Sequence, residues 1–202
     1  MRLAIPRGLA RRGWAGSARV LGLAATVLAL VTFSEPNLIS CALGLPFVAV
    51  GLWWRVWSAG HLVKNVQLIV SGPYRYVQNP LYFGRLCLLT GLCLTARLML
   101  DWEGQQLPLH LFALATGWLL FFVYYLPRKK RVEGRRLTTI HGQDYDAWAA
   151  AVPLIFPRFT PCGDDTTPWS AARFADMREL PFVVTIAAVG VALLVRAILA
   201  AG

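Results

Sequence analysis

The chain has 202 residues, 57% of them hydrophobic and 15% charged, with a formal net charge of +10 and a mean hydropathy of +0.54. Soluble domains carry about 25% charged residues, so this composition excludes an ordinary soluble globular protein and points to a membrane. The basic residues flank apolar runs, a distribution that suits cytoplasmic faces and anionic lipid and argues against nucleic acid as a partner. The four cysteines, Cys41, Cys87, Cys93 and Cys162, form no CxxC pair and no His/Cys cluster. They read as small apolar residues, with neither a disulfide framework nor a metal site expected.

Residues 1–19 are a basic arm with Arg2, Arg7, Arg11, Arg12 and Arg19, followed by an apolar run over 18–33. The run is long and no small-x-small cleavage site with a soluble mature domain follows it, so it reads as an uncleaved first transmembrane helix. A turn at 34–37 leads into a second helix over 38–57, with Pro46 inside it, as membrane helices tolerate. Trp53, Trp54 and Trp57, with Arg55 among them, read as an interfacial aromatic belt.

Residues 58–79 form a polar connector whose end carries the most unusual stretch in the chain, 71–84. Gly72-Pro73 predicts a turn, because glycine accepts positive φ and proline fixes its own φ. Asn79-Pro80 predicts a helix start, with Asn79 as N-cap and Pro80 in the first helical position. Asn79 and Tyr82 then share one helix face. Local chemistry fits two readings: a well-capped membrane helix, or a helix terminus whose unpaired N–H groups meet a carboxylate or phosphate.

A third span is predicted over 81–100, with Arg85 and Arg97 snorkelling near its ends and Gly84 and Gly91 on one face for close helix approach. An acidic loop at 101–106 separates it from a fourth span over 107–126, so these two form an antiparallel hairpin. Next comes the largest polar segment, 127–178, with a helix over 128–140 capped by Gly142, a short helix over 143–151 ended by Pro153, and irregular chain at Pro157, Pro161 and Pro168. The run 128–131, all Lys or Arg, reads as a lipid-facing positive patch. His61 and His110 read as interfacial structural residues, and His141 as a helix-end residue near carbonyls. A fifth apolar run covers 180–200, with Arg196 near its end. The positive-inside rule places the arm, the connector and the 127–178 segment in the cytoplasm and the loops at 34–37 and 101–106 outside. The expected architecture is therefore an all-α, polytopic membrane bundle of about five helices, forming one integral-membrane domain with a cytoplasmic pocket.

The 127–178 segment reads Arg131-Val132-Glu133-Gly134-Arg135-Arg136-Leu137, then His141-Gly142-Gln143-Asp144-Tyr145, Trp148, Pro153 and Pro157-Arg158. Together with Gly72-Pro73-Tyr74, Asn79-Pro80-Leu81-Tyr82-Phe83-Gly84 and the helical hairpin between, this order resembles the isoprenylcysteine carboxyl methyltransferase and phospholipid methyltransferase families. The upstream 59–65 stretch is similar to the connector of bacterial members. The resemblance spans about 50–160 and leaves the last apolar helix outside it. It implies a multi-pass enzyme of the bacterial inner membrane that uses S-adenosylmethionine to methylate a lipophilic acceptor, such as an isoprenylcysteine-like carboxylate, a phospholipid amine or another small amphiphile.

Carried over position by position, the resemblance implies that Asn79, Tyr82 and Glu133 do the catalytic work. It implies that Tyr74, Asn79, Pro80, Tyr82, Gly84, Glu133, Leu137, His141 and Tyr145 line the cofactor pocket. Glu133 would pair with the ammonium of the cofactor's methionine part, and Asn79 with the helix N–H groups would meet its carboxylate or the acceptor. Four positions depart from the family pattern: Gln78-Asn79 stands for Arg-His, Gly134 for a second glutamate, and His141 for a phenylalanine. Two other classes are compatible with the same residues, namely a non-catalytic membrane scaffold that keeps the fold and a membrane reductase of the sterol-reductase type that binds a nicotinamide cofactor.

Overall fold

The structure, a computed structural model, describes residues 28–63 and 68–202. The basic arm and all of the first predicted span except 28–33, which is helical, lie outside the described residues, as do Lys64 and Asn65 of the connector. Helix α1 (Leu38–Ala59) begins at a reciprocal cap. The Asn37 side chain accepts from the Ser40 N–H (2.8 Å), and the Ser40 hydroxyl accepts from the Asn37 N–H (3.0 Å). Pro46 lies inside α1 without ending it. After the connector, a 3₁₀ turn (Gly72–Arg75) with Gly72 at φ +54 leads to α2 (Pro80–Ala96).

Helix α2 is shorter than the apolar run that encodes it. Arg97 adopts the left-handed conformation (φ 45, ψ 60) and ends the helix. The chain then pairs back on itself as an antiparallel hairpin, β1 (Met99–Trp102) against β2 (Gln105–Pro108). The predicted acidic loop is thus the tip of a two-stranded sheet, and the all-α expectation gives way there. At 17 residues, α2 spans about 26 Å at 1.5 Å per residue, just short of a hydrocarbon core of about 30 Å.

The fourth predicted span and the helix after it are one continuous helix, Leu109–His141. It comprises α3 (Leu109–Leu119), a π-helical stretch (Leu120–Tyr125) and α4 (Leu126–His141). Gly142, at φ +55, closes it with an N–H bond to the Thr138 carbonyl (2.8 Å), and α5 (Gln143–Ala151) follows. After an irregular stretch come α6 (Ala171–Asp176) and α7 (Leu180–Leu199). Among the described residues three helices are long and apolar enough to cross a membrane: α1, Leu109–His141 and α7. The protein is therefore a mostly helical membrane protein.

The packing centre is the α1–α2 pair, with α7 laid across it. Val48, Leu88 and Ile186 form one buried cluster and Ala96, Val189 and Leu193 another, so each joins α2 to α7. Glycines set the α1–α2 distance. A Cβ on Gly91 would lie 2.7 Å from the Gly44 carbonyl oxygen, and one on Gly84 would lie 3.0 Å from the Gly51 carbonyl oxygen. Two backbones that approach this closely leave no room for side chains. The Ser40 hydroxyl bonds the Thr95 carbonyl (3.1 Å) across the same seam. The Leu109–His141 helix stands away from this core, almost unburied, anchored on α2 by Trp118 Nε1 donating to Thr90 Oγ1 (3.1 Å).

Candidate functional site

A cleft of about 490 Å³ opens where the start of α2, helix α4, helix α5 and the chain before α7 meet. Its volume lies in the range of about 300–1,000 Å³ usual for small-molecule sites. The connector is tied to the segment after α5 by backbone bonds: Gln78 N–H to Pro153 O (2.9 Å), Arg158 N–H to Tyr76 O (3.0 Å) and Cys162 N–H to Arg75 O (2.9 Å). These bonds draw the two polar segments together.

Side chains complete the strap. Gln78 Nε2 donates to the carbonyls of Ala149 (2.9 Å) and Val152 (2.6 Å), which lie at the C-terminal end of α5. Trp148 Nε1 donates to the Tyr74 carbonyl (3.2 Å). Asn79 occupies the N-cap position of α2, yet its side chain makes no capping bond. Its Nδ2 donates instead to the Leu154 carbonyl (3.0 Å). The predicted cap is corrected for a physical reason: the carbonyls after α5 need donors, and an amide can supply them where a helix-capping oxygen cannot.

Of the residues singled out by the resemblance, Tyr74, Asn79, Pro80 and Tyr82 line one wall of the cleft, and Glu133, Leu137, His141 and Tyr145 line the other. Gly84 does not line it. It faces α1, where a Cβ would lie 2.9 Å from Arg55 Cγ, so its smallness serves helix packing. Arg55 is likewise not part of an exposed belt. It is 4% exposed and bonds Glu179 Oε2 through Nε (3.1 Å) and Nη2 (2.6 Å), with its guanidinium 4.4 Å above the Phe182 ring. Close helix approach was the expectation for Gly84 from its spacing to Gly91, and the cofactor contact implied by the resemblance is what fails. The partner of Arg55 was missed because periodicity reports a helix face and not the neighbour that face meets. A cation inside an apolar helix was the available signal for Arg55.

The cleft carries charge of both signs. Arg85, Lys129, Lys130 and Arg136 line it alongside Glu133 and Glu179. Lys129 pairs with Glu133 at 2.6 Å, one helical turn on, and its Nζ sits 3.9 Å from the centre of the Tyr82 ring. Arg85 lies over the same ring at 4.9 Å, and the Tyr125 hydroxyl donates to the Tyr82 hydroxyl (2.5 Å). Tyr82 is thus held by two cations and a phenol. Tyr125 closes the π-helical stretch, and π-bulges recur at functional sites.

Tyr74 is buried, and its phenol is pushed well above the usual range, first by burial and then by the negative charges of Glu133 and Glu179. Burial, then Asp146 and Glu133, also push the Tyr145 phenol up. Both tyrosines stay neutral near pH 7 and can donate a hydrogen bond. Away from the cleft, His61 is buried, with Nδ1 3.2 Å from Ser71 Oγ, and His110 is buried with Nδ1 3.0 Å from the Leu98 carbonyl. Among the described residues no three His, Cys, Asp or Glu side chains gather as a metal site would require. Compared with protein-family models, with curated proteins and with solved structures, the chain matches none.

Proposed function

We propose that this chain is an S-adenosylmethionine-dependent methyltransferase acting on a lipophilic acceptor that reaches the cleft from the bilayer. One observation carries the reading: two motifs more than 40 residues apart, around Tyr74–Tyr82 and Glu133–Tyr145, face each other across one cleft. The donor set supports it as well. A methionine part presents an ammonium and a carboxylate, and the cleft offers carboxylates at Glu133 and Glu179 with cations at Arg85, Lys129 and Arg136.

When bound, the cofactor supplies a methyl already activated by its sulfonium, so the protein has little bond chemistry to promote. The residues here orient and exclude water. The Tyr82–Tyr125 pair and Trp148 supply aromatic surface, the strap through Gln78 fixes the two walls, and the cations beside Tyr82 favour an anionic group. With its basic segments on the cytoplasmic side, the cleft opens near the inner membrane face. Exposed apolar residues just before the cleft-lining part of Leu109–His141, among them Leu119, Leu120 and Val123, give lipid access beside it.

The Lys129–Glu133 ion pair favours a second reading, in which the cleft is closed by its own residues and the protein is a scaffold. Calorimetric titration of S-adenosylmethionine into the detergent-purified chain separates the two. Micromolar binding is expected in the intact protein and a loss of about tenfold or more in Glu133→Ala, the effect of one charge-assisted bond. No binding refutes the proposal and supports the scaffold, whereas binding of a nicotinamide dinucleotide instead assigns the cleft to a reductase.

A further inference from the structure

The helix beyond the family-like region brings a carboxylate into the cleft. Glu179 immediately precedes α7 and lines the cleft wall. It is 13% exposed, against 52% for Glu133. Arg55 holds it through one oxygen only, since both Nε and Nη2 bond Oε2. Among the described residues Oε1 accepts no hydrogen bond. A carboxylate has capacity for several, so a fixed acceptor is left over. The preceding residue, Arg178, holds the left-handed conformation (φ 51), which side chains other than glycine adopt at a cost.

Tyr74 provides the second, independent observation. It is 7% exposed and lines the same cleft, and among the described residues its hydroxyl has no hydrogen-bond partner. The ring is packed away while the hydroxyl stays open to the cleft, where a ligand can reach it. Glu133 and Glu179 line the same cleft as Tyr74, and the negative charges of both act on its phenol. Glu133 is already engaged by Lys129 at 2.6 Å and is largely solvated. Glu179 is the less solvated acceptor, and the three donors of an ammonium can serve both carboxylates and the phenol.

We propose that Glu179, with the Tyr74 hydroxyl, binds the ammonium group of the ligand in this cleft, so that α7 completes the site. This rests on the methyl-transfer reading, in which that ammonium belongs to the cofactor's methionine part. Glu179 thereby takes the place of the second carboxylate that Gly134 lacks. A Cβ at Gly134 would meet only the Tyr145 hydroxyl, at 3.6 Å, so the space where a second carboxylate would project is open.

The test is calorimetry on the full chain in detergent with two ligands: S-adenosylmethionine, and its analogue whose amine is replaced by hydrogen and whose sulfonium is kept. Glu179→Gln is expected to weaken S-adenosylmethionine about tenfold or more and the deaminated analogue less than about twofold, because only the former carries the charge-assisted bond. Tyr74→Phe, which keeps the buried ring, is expected to show the same selectivity at about three- to tenfold. It decides the matter if Glu179→Gln does not fold. Unchanged affinity in these variants overturns the proposal, and so does an equal loss for both ligands, which would make Glu179 a wall-shaping residue only. If the intact protein binds neither ligand, the methyl-transfer reading has failed and this assignment falls with it.

Discussion

Replacing Arg55 with methionine probes how α7 is held to the rest of the fold. Methionine keeps an unbranched chain against Phe182 but removes both donors to Glu179 Oε2, at 3.1 and 2.6 Å. Removing one partner of a buried ion pair costs about 3–5 kcal/mol, because the other charge is left unpaired. Glu179 is 13% exposed and lines the cleft, so water can reach it. That argues for the lower end, about 3 kcal/mol, of which the lost contact with the Phe182 ring contributes about 1 kcal/mol. The assay is reversible unfolding in one fixed detergent, run as a double-mutant cycle with Glu179→Gln. Neutralising Glu179 removes the unpaired charge, so the double variant should be more stable than Arg55→Met alone, with a coupling of about 2 kcal/mol. Arg55→Lys should rescue only in part, since an ammonium cannot reproduce two guanidinium bonds to one oxygen. An Arg55→Met cost below about 1 kcal/mol, or strict additivity, would place this pair with ordinary surface bridges and refute the reasoning.

Two further outcomes follow from the connector. Gln78→Ala should destabilise by about 1–3 kcal/mol, because the Ala149 and Val152 carbonyls lose their shared donor. It should also raise amide exchange in α5 before it does so in α1, and equal exchange in both would refute the strap. His61 is held neutral: burial, and then the charge of Arg173, lower its pKa, with Asp165 opposing. Its folded value lies below the unfolded value of about 6.5, so just below pH 6.5 the unfolded chain binds the more protons. Stability should therefore rise with pH through that window and level off above it. A flatter profile in His61→Gln, measured by thermal unfolding between pH 5 and 8, is the expected result.

The sequence by itself determined the elements whose causes are local. Gly72-Pro73 turns, Pro80 opens α2, and Gly142 closes the helix before it. Each follows from the backbone preferences of one or two residues. Of the five apolar runs that hydropathy marked, three are helices long and apolar enough to cross a membrane among the described residues, since a bilayer selects for length and composition. The two polar segments stand out among the apolar runs, and it was the family resemblance that implied one pocket between them.

Only the tertiary structure decided what those residues meet. Asn79 has the composition of an N-cap but gives its amide to Leu154, because the strand of chain after α5 lies within its reach. The 81–100 run ends early, since pairing of 99–102 with 105–108 satisfies backbone groups that a longer helix would have satisfied internally. Gly84 belongs to the α1 seam and Arg55 to Glu179, 124 residues away. Charge pairing over that separation leaves no mark in local periodicity. It depends on two helices lying side by side, and burial of the α1–α2–α7 core is what places them there.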